Sequence, residues 1–252
     1  MSAIKVDKQD HIAVVTLDRP PVNSLQKSTY AEIAGTFRNL GDMPGVRVAV
    51  LRSEGPIFCA GNDVNEFAGI EDAADAERYA RGVSDGISSV YDCAVPVVAA
   101  VHGHALGAGM ALAACADVIV AADDAEFGIP EIKVGVIGAS AFLGLMVPEK
   151  VARYMSLTGD PISARAIHKY GGIQSLVPAA DVLDTAMAVA GKIAANGPTG
   201  VRYFKAAMNK NQGAMLVEKY AHESGYTAKY IETAEARESV AAFLERRKPR
   251  YD

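Results

Sequence analysis

The sequence predicts an α/β fold: an α/β body followed by an α-helical tail. Three observations carry that expectation. Short runs rich in Val, Ile and Ala recur along the first half of the chain, helical patterns alternate with them, and strand signals fade after about residue 139. Alternation of strand with helix marks an α/β body rather than a sandwich or a bundle.

Taken in order, residues 11–17 (HIAVVTL), 46–53 (VRVAVLRS), 95–101 (VPVVAAV) and 117–123 (DVIVAAD) read as buried strands, being short and β-branched-rich. Helical patterns occupy 24–40, 73–91 and 106–115. The stretch 163–171 (SARAIHKYG) reads as a short helix stopped by glycine. In 181–198, Leu183, Ala186, Ala190 and Ile193 share one face, and Asn196-Gly197-Pro198 ends the helix. A last amphipathic helix is expected over 227–247. This gives a core over 1–195 and a helical region over 196–252, without internal repeats.

Composition narrows the function. The chain has 252 residues, half of them apolar, enough for one domain with a real core. Net charge is −5, and the one basic block is Arg246-Arg247-Lys248-Pro249-Arg250, so nucleic acid is not an expected partner. Cys59, Cys93 and Cys115 lie far apart without metal-ligand spacing, which suits a reducing cytoplasm. The opening MSAIKVDKQDH is polar, reading as neither signal peptide nor span, and no other apolar run is long enough to cross a membrane.

Two glycine-rich turns stand out, IFCAGNDVNEF (57–67) and HGHALGAGMAL (102–112). In each, a strand stops at small residues and a helix begins. The first N–H groups of a helix lack partners and carry the positive end of its dipole. Small residues let a substrate oxygen approach them, and two such groups aimed at one point form an oxyanion hole. Tight strand–helix packing without a ligand is the other reading. Walker and dinucleotide spacings are absent.

These residues resemble the crotonase (enoyl-CoA hydratase/isomerase) superfamily. FCAGNDVNEF is similar to its F-[CS]-A-G-x-D-[LIV] element, and AVHGHALGAGMALAACADVIVA to its long Gly-rich segment. AEFGIPEIKVGVI resembles its F-x-x-P-E-[IV]-x-x-G element, and RPPVNSL and ARESVAAFLERRKPRY match its two ends, with Ser239-Val240 departing from the pattern. The resemblance implies a ββα-spiral core with an α-helical C-terminal trimerisation or lid region. It also implies a homotrimer or hexamer and an acyl-CoA thioester substrate, with coenzyme A as part of the substrate and no separate cofactor. By position, the backbone N–H groups of Asn62 and Ala108 would hold the thioester oxygen and Glu131 would be the acid–base group. Ala60, Gly61, Asp63, His104, Gly107, Gly109 and Ala111 would surround the substrate.

Hydratases of the family use two glutamates. The second lies on the Gly-rich helix, where this chain has Ala111. One carboxyl can carry a proton between two carbons of one substrate, so the resemblance favours Δ3,Δ2-enoyl-CoA isomerisation by Glu131. A hydratase or lyase with a replaced second acid, or a non-catalytic acyl-CoA binding protein, are the other readings. Apolar Ile129, Ile132 and Val136 beside Glu131 should raise its pKa. Asp63, Glu66 and Ser140 are candidates for a second polar group, with Asp63 also suited to capping. His102 and His104 form H-x-H, but no third ligand is near in sequence and no metal is expected. GASAF (138–142) lacks the last glycine of a serine-hydrolase elbow. The family's dehalogenases place an aspartate after the P-E pair, and VIGASAF has none. Arg246, Arg247 and Lys248 either meet CoA phosphates or are a solvated helix end.

Overall fold

The computed structural model describes residues 2–69 and 73–250. Strand β1 (Ile4–Gln9) turns back antiparallel into β2 (Ile12–Leu17), and α1 (Lys27–Asn39) leads to β3 (Val48–Ser53). Next come α2 (Ala73–Tyr91), β4 (Val97–Val101), β5 (His104–Leu106), α3 (Ala108–Ala114), β6 (Val118–Ala122) and β7 (Glu126–Gly128). The second half contains α4 (Ser140–Leu143), α5 (Glu149–Thr158), β8 (Ile162–Ser163), α6 (Ala164–Lys169), β9 (Ser175–Val177) and α7 (Val182–Ala194). A long α8 (Pro198–Ile231) and α9 (Ala234–Leu244) close the chain. The large sheet has the order β1-β2-β3-β4-β6-β9, and a small one the order β5-β7-β8.

Strands β2 and β4 are buried along their whole length, and β3 at all but Arg52. Both faces are covered, which is why they read as unbroken apolar runs. Helix α1 buries Tyr30, Ile33, Ala34 and Phe37 on one face, and a capping box between Gln26 and Thr29 starts it. Ala186 and Ala190 on α7 are fully buried against the large sheet.

The ββα plan appears as a repeat: β3, β4 and β6 of the large sheet are each followed by a short small-sheet segment and then by a helical turn. After β3, Cys59 forms a parallel bridge with Ala105 in β5. After β4 comes β5, and after β6 comes β7, parallel to β5. The path alternates between the two sheets and so winds into a spiral.

The structure departs from the sequence reading in places. The polar opening segment, for which no strand is expected, forms β1. It is an edge strand whose first residue alone is buried. The first helix begins at Lys27 rather than at 24, because Arg19 Nη1 holds the Ser24 carbonyl and hydroxyl. Residues 106–107 belong to the strand and turn, with α3 starting at Ala108. The expected helix over 227–247 is two helices. Thr233 ends one and caps the next, its hydroxyl accepting from Ala236 N at 3.1 Å. The late β9 joins the large sheet beside β6. Helix α8 is pinned to the body by buried Lys205, which binds Asp117 at 2.7 Å and the Val95 carbonyl at 3.2 Å. Among the described residues no helix is long and apolar enough to cross a membrane.

Candidate active site

The small sheet gathers the site. Cys59, Ala105 and Phe127 pair side by side, in parallel, and each strand then leaves the sheet at the same end. The first exit delivers Asn62, the second Ala108, the third Glu131. These three line one cleft. Helix α2 supplies its apolar wall through Ala76, Ala80, Val83 and Ile87, and α8 closes it with Tyr220 and Thr227.

The glycines allow the exits to pack. A Cβ on Gly61, at φ +91°, would stand 2.8 Å from the Leu106 carbonyl, and one on Gly109 would stand 2.6 Å from Cys59 Cβ. One on Gly107, at φ +54°, would stand 2.3 Å from Glu131 Oε1. The groups nearest these glycines are therefore the protein's own strands and its buried carboxyl.

Glu131 follows Pro130 at the start of a short 3-10 turn that Gly135 ends in the left-handed conformation. It is only 7% exposed, and burial pushes its pKa up to about 8, with the negative Glu223 adding to the rise. Its Oε2 is buried with no hydrogen-bond partner. Neither the Asn62 N–H nor the Ala108 N–H finds an acceptor among the described residues, Ala108 being the first residue of α3. An orphaned carboxyl oxygen and two free N–H donors thus share one cleft.

The other expected residues have their own contacts. Burial would raise the Asp63 pKa, but hydrogen bonds from Gln26, Asn65 and Arg19 hold it below the ordinary range. Its carboxylate anchors the Asn62 turn to Arg19 at 3.0 Å and to Gln26 at 2.9 Å. Glu66 accepts from Lys27 N at 2.9 Å and so caps α1. His104 is exposed at the start of β5, with Nε2 3.3 Å from Glu126. His102 lies 2.9 Å from the Gly55 carbonyl, outside β5, so the two imidazoles form no pair. Among the described residues no cluster of His, Cys, Asp or Glu is placed to hold a metal. Ala60 N–H bonds to the Val22 carbonyl. Ala111 is buried one turn into α3, and Gly107 lies directly against the Glu131 carboxyl. Arg247 is engaged by Glu238 and Glu245.

Sequence reasoning missed the contribution of α8. Buried Glu223 accepts from Ser140 N at 3.0 Å, from Ala141 N at 3.2 Å and from the Ser140 hydroxyl. The Thr227 hydroxyl donates to the Ile137 carbonyl. The wall segment 137–141 is thereby hung at both ends from one helix face. Ser140, weighed as a second polar group, is spent on this clamp.

The chain is similar to known proteins along nearly its whole length. The profile described as enoyl-CoA hydratase/isomerase matches residues 7–252. The chain is 36% identical to a (7aS)-7a-methyl-1,5-dioxo-2,3,5,6,7,7a-hexahydro-1H-indene-carboxyl-CoA hydrolase of Rhodococcus jostii, over 96% of this chain and 93% of that one. It is 31% identical to a carnitinyl-CoA dehydratase of Proteus mirabilis, over 94% and 93%. A crystal structure of an enoyl-CoA hydratase/isomerase from Xanthobacter autotrophicus superposes with a TM-score of 0.89 at 26% identity, covering 97% of this chain and 92% of that one.

Proposed function

The chain belongs to the enoyl-CoA hydratase/isomerase family, and from that premise we propose an acyl-CoA enzyme that works through a thioester enolate with Glu131 as its one acid–base group. The observation that carries this reading is the cleft itself. Glu131 is the one carboxylic acid among its described lining residues, and its Oε2 has no partner. The N–H groups of Asn62 and Ala108 receive the thioester oxygen as negative charge develops on it.

Hydrolysis of a 3-oxoacyl-CoA between C2 and C3 suits this set best. Glu131 takes a proton from water as the water oxygen bonds to C3. The C2–C3 bond breaks, its electron pair passes into the thioester enolate, and Glu131 returns the proton to C2. One carboxyl suffices, because it accepts the proton and gives it back. The hydrolase relative, named for a dioxo carboxyl-CoA, supports this direction. Isomerisation of 3-enoyl- to 2-enoyl-CoA is the second reading. The same lone carboxyl favours it, removing a proton at C2 and returning it at C4. Hydration fits less well, since the place of the family's second glutamate holds Ala111. The reading extends to a homotrimer or hexamer, which would cover Tyr203 and Phe204, exposed on α8 at 73% and 75%.

The test presents purified protein with acetoacetyl-CoA, 3-hexenoyl-CoA and crotonyl-CoA. Acetate and acetyl-CoA from the first support hydrolysis, and 2-hexenoyl-CoA from the second supports isomerisation. Efficient hydration of crotonyl-CoA, with neither of these, contradicts the single-carboxyl reading.

A further inference from the structure

Asn62 offers more than a backbone donor. Its Oδ1 accepts from the phenol of Tyr30 at 2.5 Å and from that of Tyr79 at 3.0 Å. Tyr30 is buried on α1, while Tyr79 comes from α2 and lines the cleft. A buried phenol proton needs an acceptor, and for Tyr30 that acceptor is Oδ1. This fixes which way round the amide stands and turns its NH2 group away from both phenols. Nδ2 has no partner among the described residues. It is not sealed off either, because among the described residues the one fully buried side-chain polar atom without a partner is Glu131 Oε2. Asn62 lines the cleft, and its NH2 is the end of the amide that neither phenol engages.

We propose that the Asn62 amide is a specificity-determining acyl-oxygen site, its Nδ2 donating to an oxygen on C3, so that the substrates are 3-oxoacyl-CoA thioesters rather than plain enoyl-CoA. The inference rests on the enolate reading above. The donor for the thioester oxygen and the amide belong to one residue, so the two oxygens they hold must be close neighbours on the substrate. In a 1,3-dicarbonyl they sit on alternate carbons and can face the same way. The α2 wall beside Asn62 is apolar at Ala76, Ala80, Val83 and Ile87, and the Tyr79 phenol on the same helix already donates to Asn62 Oδ1. When water adds to C3, the oxygen gains negative charge and the bond from Nδ2 strengthens, which is where binding accelerates the step.

The test uses the Glu131→Gln protein, in which turnover is stopped, and titrates acetoacetyl-CoA and butyryl-CoA by calorimetry. The 3-oxo ester should bind about five- to tenfold tighter, the scale of one hydrogen bond. Adding Asn62→Asp keeps an acceptor for both phenols and removes the donor, and adding Asn62→Ala removes both. Each should bring the ratio of the two dissociation constants to about one or below. A ratio unchanged by both substitutions overturns the inference and leaves the acyl-CoA reading standing. Equal weakening of both esters gives Asn62 a purely structural role and also overturns it. Failure of both esters to bind before Asn62 is altered overturns the acyl-CoA reading itself.

Discussion

Replacing Gly107 by alanine should silence the site by moving one carboxyl. The added Cβ would stand 2.3 Å from Glu131 Oε1 and 3.1 Å from its Cδ, at a position with φ +54° and ψ −122°. Relief to an ordinary 3.4 Å contact displaces the carboxyl by about 1 Å, and a misplacement of that size costs on the order of a hundredfold in rate. The backbone strain adds about 1–3 kcal/mol of destabilisation. Gly109→Ala is the control, because its Cβ meets Cys59 Cβ and carbonyl at 2.6 Å and never reaches Glu131. Thermal denaturation and turnover of the best of the three CoA esters, measured on both variants, separate the effects. Gly107→Ala should lose far more activity than its stability loss explains, and Gly109→Ala should lose mainly stability. A folded Gly107→Ala enzyme within a few fold of wild-type rate would refute the placement of the reacting carboxyl.

Further outcomes follow from the same geometry. Ala108→Pro removes the N–H proposed as an oxyanion donor while suiting a first helical turn, so the folded variant should lose at least about a hundredfold in turnover, whereas Ala108→Gly should be mild; equal rates would show that this N–H holds nothing. Glu131 has its pKa raised to about 8 from 4.5, so its folded form keeps a proton that the unfolded chain releases. The stability it confers is present below pH 4.5 and is lost as pH rises towards 8. Melting curves of wild type and Glu131→Gln should therefore draw apart in favour of the variant between pH 5 and 8, and parallel curves would place the carboxyl in water. Lys205→Met leaves Asp117 facing the body without its cation and should cost about 3 kcal/mol in denaturant unfolding, with α8 loosened first.

The large sheet was legible because its strands are buried on both faces and so carry unbroken apolar runs, as in VPVVAAV and HIAVVTL. β1 was not, because an edge strand with one buried residue looks like a solvated tail. The small sheet was hidden for another reason. β5, β7 and β8 are two or three residues long, too short for any periodicity, and they hold together through register with their neighbours. The site followed the same rule. Glu131, Asn62 and Ala108 stood within ordered motifs and meet in one cleft. The partners of Asn62 come from Tyr30 and Tyr79, on two helices far apart in sequence, and no spacing joins them. Glu223 sits in a long polar helix, where a glutamate reads as solvated, and its burial is set by the segment at Ser140. The helix break at Thr233 did have a local signal, a threonine cap before Ala234 and Glu235.

The central claim is that Glu131 moves a proton at C2 of a thioester held as its enolate. Its most direct test does not depend on which overall reaction the enzyme performs. Butyryl-CoA, which has neither a 3-oxo group nor a double bond, is incubated with the protein in deuterated water, and loss of the C2 proton signal is followed by NMR. The account predicts steady exchange at C2 by the wild type, rising with pH towards 8, and a fall of at least about a hundredfold in Glu131→Gln. Exchange that persists in Glu131→Gln at the wild-type rate would contradict it.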